Sequence, residues 1–253
     1  MKKIVLNIFC LILLLTSRIL PQQFSTGSPE WLVDMFFSKN SFPDKANYFI
    51  GEMTEESNEK TIGEELNEEA KVSFHQIRAT NSNCVFAVEV ETDNKTIDFY
   101  SYLVNDDNTW KITAVRRFLL PAFIYTVRDS LSNLHSLSSN DSIFYRSLLL
   151  FTMNNSELKK YFKSNQNKFQ ELVISFNSNS RDEADKLLAS VSCNAIYTDK
   201  KFPGCVFIQI LNFEKMEAGF IQAADAILLP EISVEDYVYI EEVTAGWFIY
   251  RVM

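Results

Sequence analysis

Residues 96–118 read TIDFYSYLVNDDNTWKITAVRRF. Two runs rich in aromatic and β-branched residues flank the turn formers Asn105-Asp106-Asp107-Asn108, and this pattern predicts a β-hairpin. Toward the N-terminus, Lys71 to Arg78 and Asn83 to Glu91 also have strand composition, with turn signals at Asn81-Ser82-Asn83 and Asp93-Asn94. Such short spacing predicts an antiparallel meander that the hairpin closes. In the second of these strands Cys84, Phe86, Val88 and Val90 share one face and Glu89 and Glu91 the other. Cys84 therefore reads as a buried, inert thiol.

Helical signals surround the meander. Ser28-Pro29-Glu30 has the form of an N-cap followed by proline in the first turn, opening a helix through Trp31, Leu32, Met35 and Phe36. Residues 43–67 are irregular or weakly helical. Pro121 starts a helix on which Phe123, Ile124, Val127, Leu131 and Leu134 recur at helical spacing. The polar stretch Ser136 to Asp141 reads as a linker, with a domain boundary near residue 138.

The second half repeats this order. Ser156 is positioned to cap a helix carrying Leu158, Tyr161, Phe162, Phe169, Leu172 and Phe176, with a kink near Asn165, and Ser180-x-x-Glu183 matches a capping box. Strands follow at Cys205 to Phe213, Ala218 to Ala223, Tyr237 to Val243 and Trp247 to Val252. The fold class is α+β, in two small domains at 24–137 and 138–253, each with helices before an antiparallel sheet. Asp98 with Trp110 in the first half is echoed by Asp236 with Trp247 in the second. Duplication explains the echo, and so does the general preference of Tyr, Trp and Ile for strands.

Residues 1–23 carry Lys2 and Lys3 before an apolar run from Ile4 to Leu15, the anatomy of a cleaved signal peptide. Cleavage is placed between Ser17 and Gln23, and Cys10 lacks the context of a lipidation site. The chain is then periplasmic or secreted, with no integral membrane span after cleavage. Without the leader, 21 basic residues face 33 acidic ones, a net charge of −12. So acidic a chain is a poor partner for nucleic acid or an anionic membrane. The acids from Glu52 to Glu69 read as a solvated segment or a patch for a basic partner. Cys84, Cys193 and Cys205 remain after export, and Cys193 with Cys205 is the candidate disulfide.

The helix Trp31 to Phe37, the stretch Asn47-Tyr48-Phe49-Ile50-Gly51-Glu52, and Trp110-Lys111-Ile112 with Val115 together resemble the NTF2-like (cystatin-like) superfamily over roughly residues 28–130. The resemblance implies a cone-shaped pocket between sheet and helices, used by some members as isomerases or dehydratases and by many only for binding. The whole chain also resembles uncharacterised exported proteins of Bacteroidetes-type bacteria, through this hairpin and the ending GWFIYRV.

Zinc, P-loop, dinucleotide and serine-hydrolase motifs are missing from the sequence, so no metal or cofactor is expected. One acid–base constellation is conceivable: His75 on the first strand with Asp98 and Tyr100 on the third. Strand parity opposes it, since Ile97, Phe99 and Leu103 alternate with Asp98 and Tyr100, and the apolar set is the expected interior. Arg116, Arg117 and Arg128 are candidates to anchor an anionic ligand, or else surface partners for the many acids. The sequence thus points to a non-enzymatic module that binds an envelope protein or small ligand; the alternative is a small-molecule enzyme with His75 as base.

Overall fold

A computed structural model describes residues 24–93 and 95–253. The leader reading of 1–23, Cys10 included, and Asn94 of the predicted turn lie outside the described residues. The chain is α+β, with two antiparallel sheets.

Helix α1 (Pro29–Phe37) begins as its sequence requires: the Ser28 hydroxyl accepts from the Trp31 amide, and proline occupies the first turn. After it come 3₁₀ segments at Lys45–Tyr48 and Gly51–Asn58 and the short α2 (Ile62–Glu65). Gly63 of α2 lies so close to the end of α1 that a Cβ there would meet the Ser38 carbonyl oxygen at 2.1 Å. The first sheet has the order β1 (Lys71–Ala79), β2 (Asn83–Thr92), β3 (Lys95–Asp106), β4 (Thr109–Arg116). Its closing hairpin turns on Asp107 and Asn108, both left-handed (φ 49° and 62°), the two-residue turn that matches strand twist.

Four further helices follow: α3 (Ala122–Ser132), α4 (Ser139–Thr152), α5 (Asn155–Asn177) and α6 (Arg181–Ser190). The second half of the expected linker at 136–141 is instead the start of α4, where the Ser138 hydroxyl accepts from the Asp141 amide. The cap of α5 is Asn154, in a reciprocal box with Glu157, and not Ser156. The helix runs 23 residues without a break at Asn165. Ser180 does sit at the N-terminus of α6, but its side chain makes no capping bond.

The second sheet contains β5 (Ala195–Tyr197), β6 (Cys205–Phe213), β7 (Met216–Ala223), β8 (Tyr237–Thr244) and β9 (Trp247–Val252), in the order β5-β6-β7-β9-β8. Its connectivity weakens the case for duplication. The Asp98 strand is interior and the Trp110 strand is an edge, whereas in the second sheet the Asp236-flanked strand is the edge and the Trp247 strand is interior.

Both faces of the first sheet are covered. Phe86, Val88, Val90, Leu103 and Ile112 pack under α1 with Leu32, Val33, Phe36 and Phe37. Val85, Ala87, Tyr100, Tyr102 and Ala114 on the other face join the largest core. That core also takes Leu158, Phe162 and Phe169 from α5 and Phe220, Tyr239, Trp247 and Ile249 from the second sheet, so it crosses the expected boundary at 138. The parity expectation was therefore wrong in its premise: the Asp98–Tyr100 face is interior too, because the second half closes over it. Edge strand β8 lies against this face, with Tyr100 stacked on Tyr239 at 5.0 Å and the Tyr102 hydroxyl donating to the Val238 carbonyl at 2.6 Å. An otherwise open sheet edge is thereby shielded.

Cys193 and Cys205 are buried free thiols, which corrects the candidate disulfide. Cys193 belongs to the core on the helical side of the second sheet and Cys205 to the smaller core on the opposite side. Cys84 is likewise buried and free, and burial pushes its thiol pKa up.

Phe162 is in ring contact with Phe169, Phe220 and Trp247 at the centre of the shared core. Phe162→Ala is expected to lower stability by about 3–5 kcal/mol. Amide-exchange protection should fall in β2 and β3 together with β6 and β7; a loss confined to the second half would show that the halves fold independently.

Candidate functional site

The face of the first sheet that meets the second half carries two polar rows. Pairing register aligns Ser73, Glu89 and Asp98 in one row, and His75, Ala87, Tyr100 and Arg116 in the next. His75 thus shares a face with Asp98 and Tyr100 but stands two strands away, about 10 Å at ordinary strand spacing. The proposed trio does not assemble. His75 Nε2 lies 2.9 Å from Glu241 Oε1 on β8, and its side chain is 48% exposed. Glu241 also accepts from Lys159 at 2.5 Å and from the Tyr239 hydroxyl at 2.7 Å. Burial alone would raise the Glu241 pKa, but the bonds from His75, Lys159 and Tyr239 outweigh it and hold the carboxyl down at about 2. This cluster joins β1, α5 and β8 as a tether, with every carboxylate oxygen engaged.

Asp98 and Tyr100 belong to a different cluster, built on the N-terminus of α5. The Asn155 amide donates to Asp98 Oδ2 at 2.8 Å, and the Asn155 side-chain nitrogen donates to the Tyr100 hydroxyl at 3.0 Å. Arg251 of β9 completes it: Nε donates to Asn155 Oδ1 at 3.0 Å, and Nη2 to the Met153 carbonyl at 2.6 Å. The guanidinium lies 4.5 Å over the Phe118 ring and is 1% exposed. Two groups are left over: Asp98 Oδ1 and Arg251 Nη1 are buried without a hydrogen-bond partner among the described residues. Each such group costs about 1–3 kcal/mol relative to a satisfied one.

Beside this cluster opens a cleft of about 410 Å³. Its walls are the start of β3, the chain after β4, α3 and the α4–α5 corner, and both Asp98 and Arg251 reach it. Arg117 and Arg128 line it as well, so two of the three candidate arginines converge here. Arg116 does not: it is held by both oxygens of Glu52 and donates to the Val234 carbonyl at 3.1 Å. A second hollow, about 620 Å³, lies between the Gly51–Asn58 segment and β3–β4, where Glu52, Glu55, Glu56, Glu59 and Glu65 rim an apolar floor of Phe36, Met53 and Phe99. Among the described residues no cluster of His, Cys, Asp and Glu has metal-holding geometry, and no helix is long and apolar enough to cross a membrane.

Arg251, Asn155 and Glu241 escape a reading of the sequence alone. Arg251 leaves one signal: in WFIYRV it shares parity with Trp247 and Ile249, so a charge falls on a core-facing position. Asn155 leaves none, since its role depends on where β3 and β9 meet α5. A comparison with known family profiles, curated proteins and solved structures returned no match to this chain.

Burial raises the Asp98 carboxyl to about 6, against the pull of Arg251 and the Asn155 amide, with Glu89 adding to the rise. A folded pKa above the unfolded one means that Asp98 contributes stability below about pH 4, which is lost as pH rises through 6. Asp98→Asn should therefore stabilise the protein by about 1–3 kcal/mol at pH 7.5 and leave it unchanged near pH 4, measured by urea denaturation. Glu241 has the opposite sign, its stabilisation being present above about pH 4.5 and lost toward 2. Glu241→Gln should cost about 2–3 kcal/mol at pH 7, with the deficit shrinking as pH falls toward 2.

Proposed function

We propose that this chain is an exported, non-enzymatic binding protein of the cell envelope that takes a small ligand in the cleft beside Asp98 and Arg251. One observation carries the proposal: two oppositely charged side chains reach the cleft, each with a buried polar atom that has no hydrogen-bond partner among the described residues. Folded proteins rarely leave such atoms unpaired, so each calls for an explanation, a bound group among them. The cleft also has the size of a small-ligand site, and its lining is more polar than apolar. Export rests on the anatomy of residues 1–23. The four-stranded meander under α1 supports the NTF2-like resemblance of the first half, although the cleft lies on the sheet face away from α1.

A second reading, a small-molecule enzyme of the isomerase or dehydratase kind, draws on the Asp98 carboxyl, whose value of about 6 suits proton transfer near neutral pH. It shifts the base from His75, which is occupied by Glu241, to Asp98.

Expressed with its leader in a Gram-negative host, the protein should be recovered from the periplasm or medium, shortened at its N-terminus. Full-length retention in the cytoplasm would overturn export. A metabolite library screened by thermal shift should yield ligands that raise the midpoint of the mature chain but not of Thr96→Trp, which fills the cleft. Ligands unaffected by Thr96→Trp would place the site elsewhere, and turnover of a bound ligand lost in Asp98→Asn would favour the enzyme.

A further inference from the structure

An open β-sheet ends in two edge strands, each with a row of backbone donors and acceptors left for solvent or for another chain. The two sheets have four such edges, β1, β4, β5 and β8, and three of them are covered or cut short. Along β4, Phe49 bridges to Ile112, whose carbonyl accepts from the Ile50 amide at 3.1 Å, and Glu52 holds Arg116. The β8 edge lies against the face of the first sheet. The β5 strand has only three residues, too few to template a partner. The exception is β1: the backbone of its nine residues, Lys71–Ala79, bonds to β2 alone among the described residues. Lys71, Ser73, His75, Gln76 and Arg78 are exposed along it.

This open edge is amphipathic. From Lys71 to Gln76 the pairing with β2 is regular, and a register shift between Gln76 and Arg78 ends it. On one side of the run Val72 and Phe74 sit, partly buried, at the margin of the α1 core. Phe24 packs on Phe74 at 5.5 Å, and a hollow of about 420 Å³ opens beside them along the strand. On the other side stand Lys71, Ser73 and His75. Glu241 occupies His75, but Lys71 and Arg78 take part in no ion pair among the described residues. The strand itself holds no acid. Glu30 lines the hollow, so the acids of an incoming strand belong on the Lys71 side.

We infer that β1 is a docking edge for an extended segment of another protein, acidic and apolar at alternate positions. Added as a fifth strand, the segment pairs its backbone with Lys71–Gln76, a run of about six residues. Its apolar side chains lie beside Val72 and Phe74, toward the hollow. Its carboxylates stand beside Lys71, with Arg78 at the far end of the edge. A second copy of this chain is the wrong occupant on charge. Antiparallel pairing of two β1 strands in full overlap brings Lys71 of each copy beside Arg78 of the other, and parallel pairing sets each cation on its own kind. The same two cations that keep copies apart attract an acidic strand.

The test is fluorescence titration of the mature protein with a labelled peptide, Glu-Val-Glu-Phe-Glu-Val. Its controls are the charge-reversed Lys-Val-Lys-Phe-Lys-Val and two forms of the acidic peptide N-methylated at alternate amides, one in each phase. The acidic peptide should bind and raise amide-exchange protection in β1. Charge reversal should weaken binding about tenfold or more. Methylation in one phase should abolish it, because that phase carries the donors facing β1. The double variant Lys71→Glu, Arg78→Glu changes only exposed positions and should fold; it should lose the acidic peptide and bind the basic one instead. Equal binding of the acidic and basic peptides to wild type overturns the proposal, and so does full binding of both methylated forms. Binding of no peptide at about millimolar concentration, or protection gained away from β1, overturns it as well. A dimer of the free protein in sedimentation, with β1 protected, assigns the edge to a second copy and overturns the acidic partner.

Discussion

Arg251 is a guanidinium in the interior, and much of the architecture is arranged around holding it there. Moving an unpaired charge out of water is far costlier than any single apolar contact returns, so a buried arginine persists only if neighbouring groups meet it. Here they come from across the chain: Asn155 at the start of α5, the Met153 carbonyl at the α4–α5 corner, and the Phe118 ring after β4. Asn155 in turn holds Asp98 and Tyr100 on β3. One side chain on the penultimate residue but one of the chain thus fixes where α5 begins relative to both sheets. The arrangement leaves Nη1 over, and the cleft opens beside it.

The second constraint is that the first sheet buries both faces. An antiparallel sheet can leave one face wet, and Glu89, Asp98 and His75 look like residues of such a face. They remain polar under the second half because partners arrive with it. Glu241 and Lys159 meet His75, and the α5 N-terminus meets Asp98, while the Ser156 hydroxyl donates to Glu89. Within one interface, two carboxyls end with opposite shifts. Glu241 receives three donors and is held low, whereas Asp98 receives one amide, keeps an oxygen unpaired and is raised. The first is a clasp, and the second is a carboxyl whose burial is not fully compensated.

Local chemistry was legible where a few adjacent residues decide it. The Asn105–Asn108 turn, the alternation of Cys84, Phe86, Val88 and Val90, and the Ser28-Pro29 cap each act over a handful of bonds, and each formed as its residues dictate. The helix over Ser139–Thr152 was hidden by its polar first turn, Ser-Asn-Asp-Ser, which resembles a linker until Leu148 and Phe151 find the core. The disulfide expectation failed for a related reason. Nearness of Cys193 and Cys205 along the chain carries no information about the sides of a sheet on which they emerge.

The candidate site shows the same division. Asp98 could be named from the sequence as a possible acid–base partner, and Arg117 and Arg128 as possible anchors for an anion, yet their grouping could not, since they converge only when α5 and β9 are in place. By itself the sequence determined the class of fold, the strands of the meander, the acidic balance of the chain and the absence of recognisable cofactor motifs, all of which follow from local propensity and composition. Tertiary structure alone decided that the polar face of the first sheet is interior, that His75 serves Glu241, and that Asp98 and Arg251 each retain an unpaired atom beside one cleft. The physical reason is that desolvation and pairing depend on what the rest of the chain places within hydrogen-bonding distance.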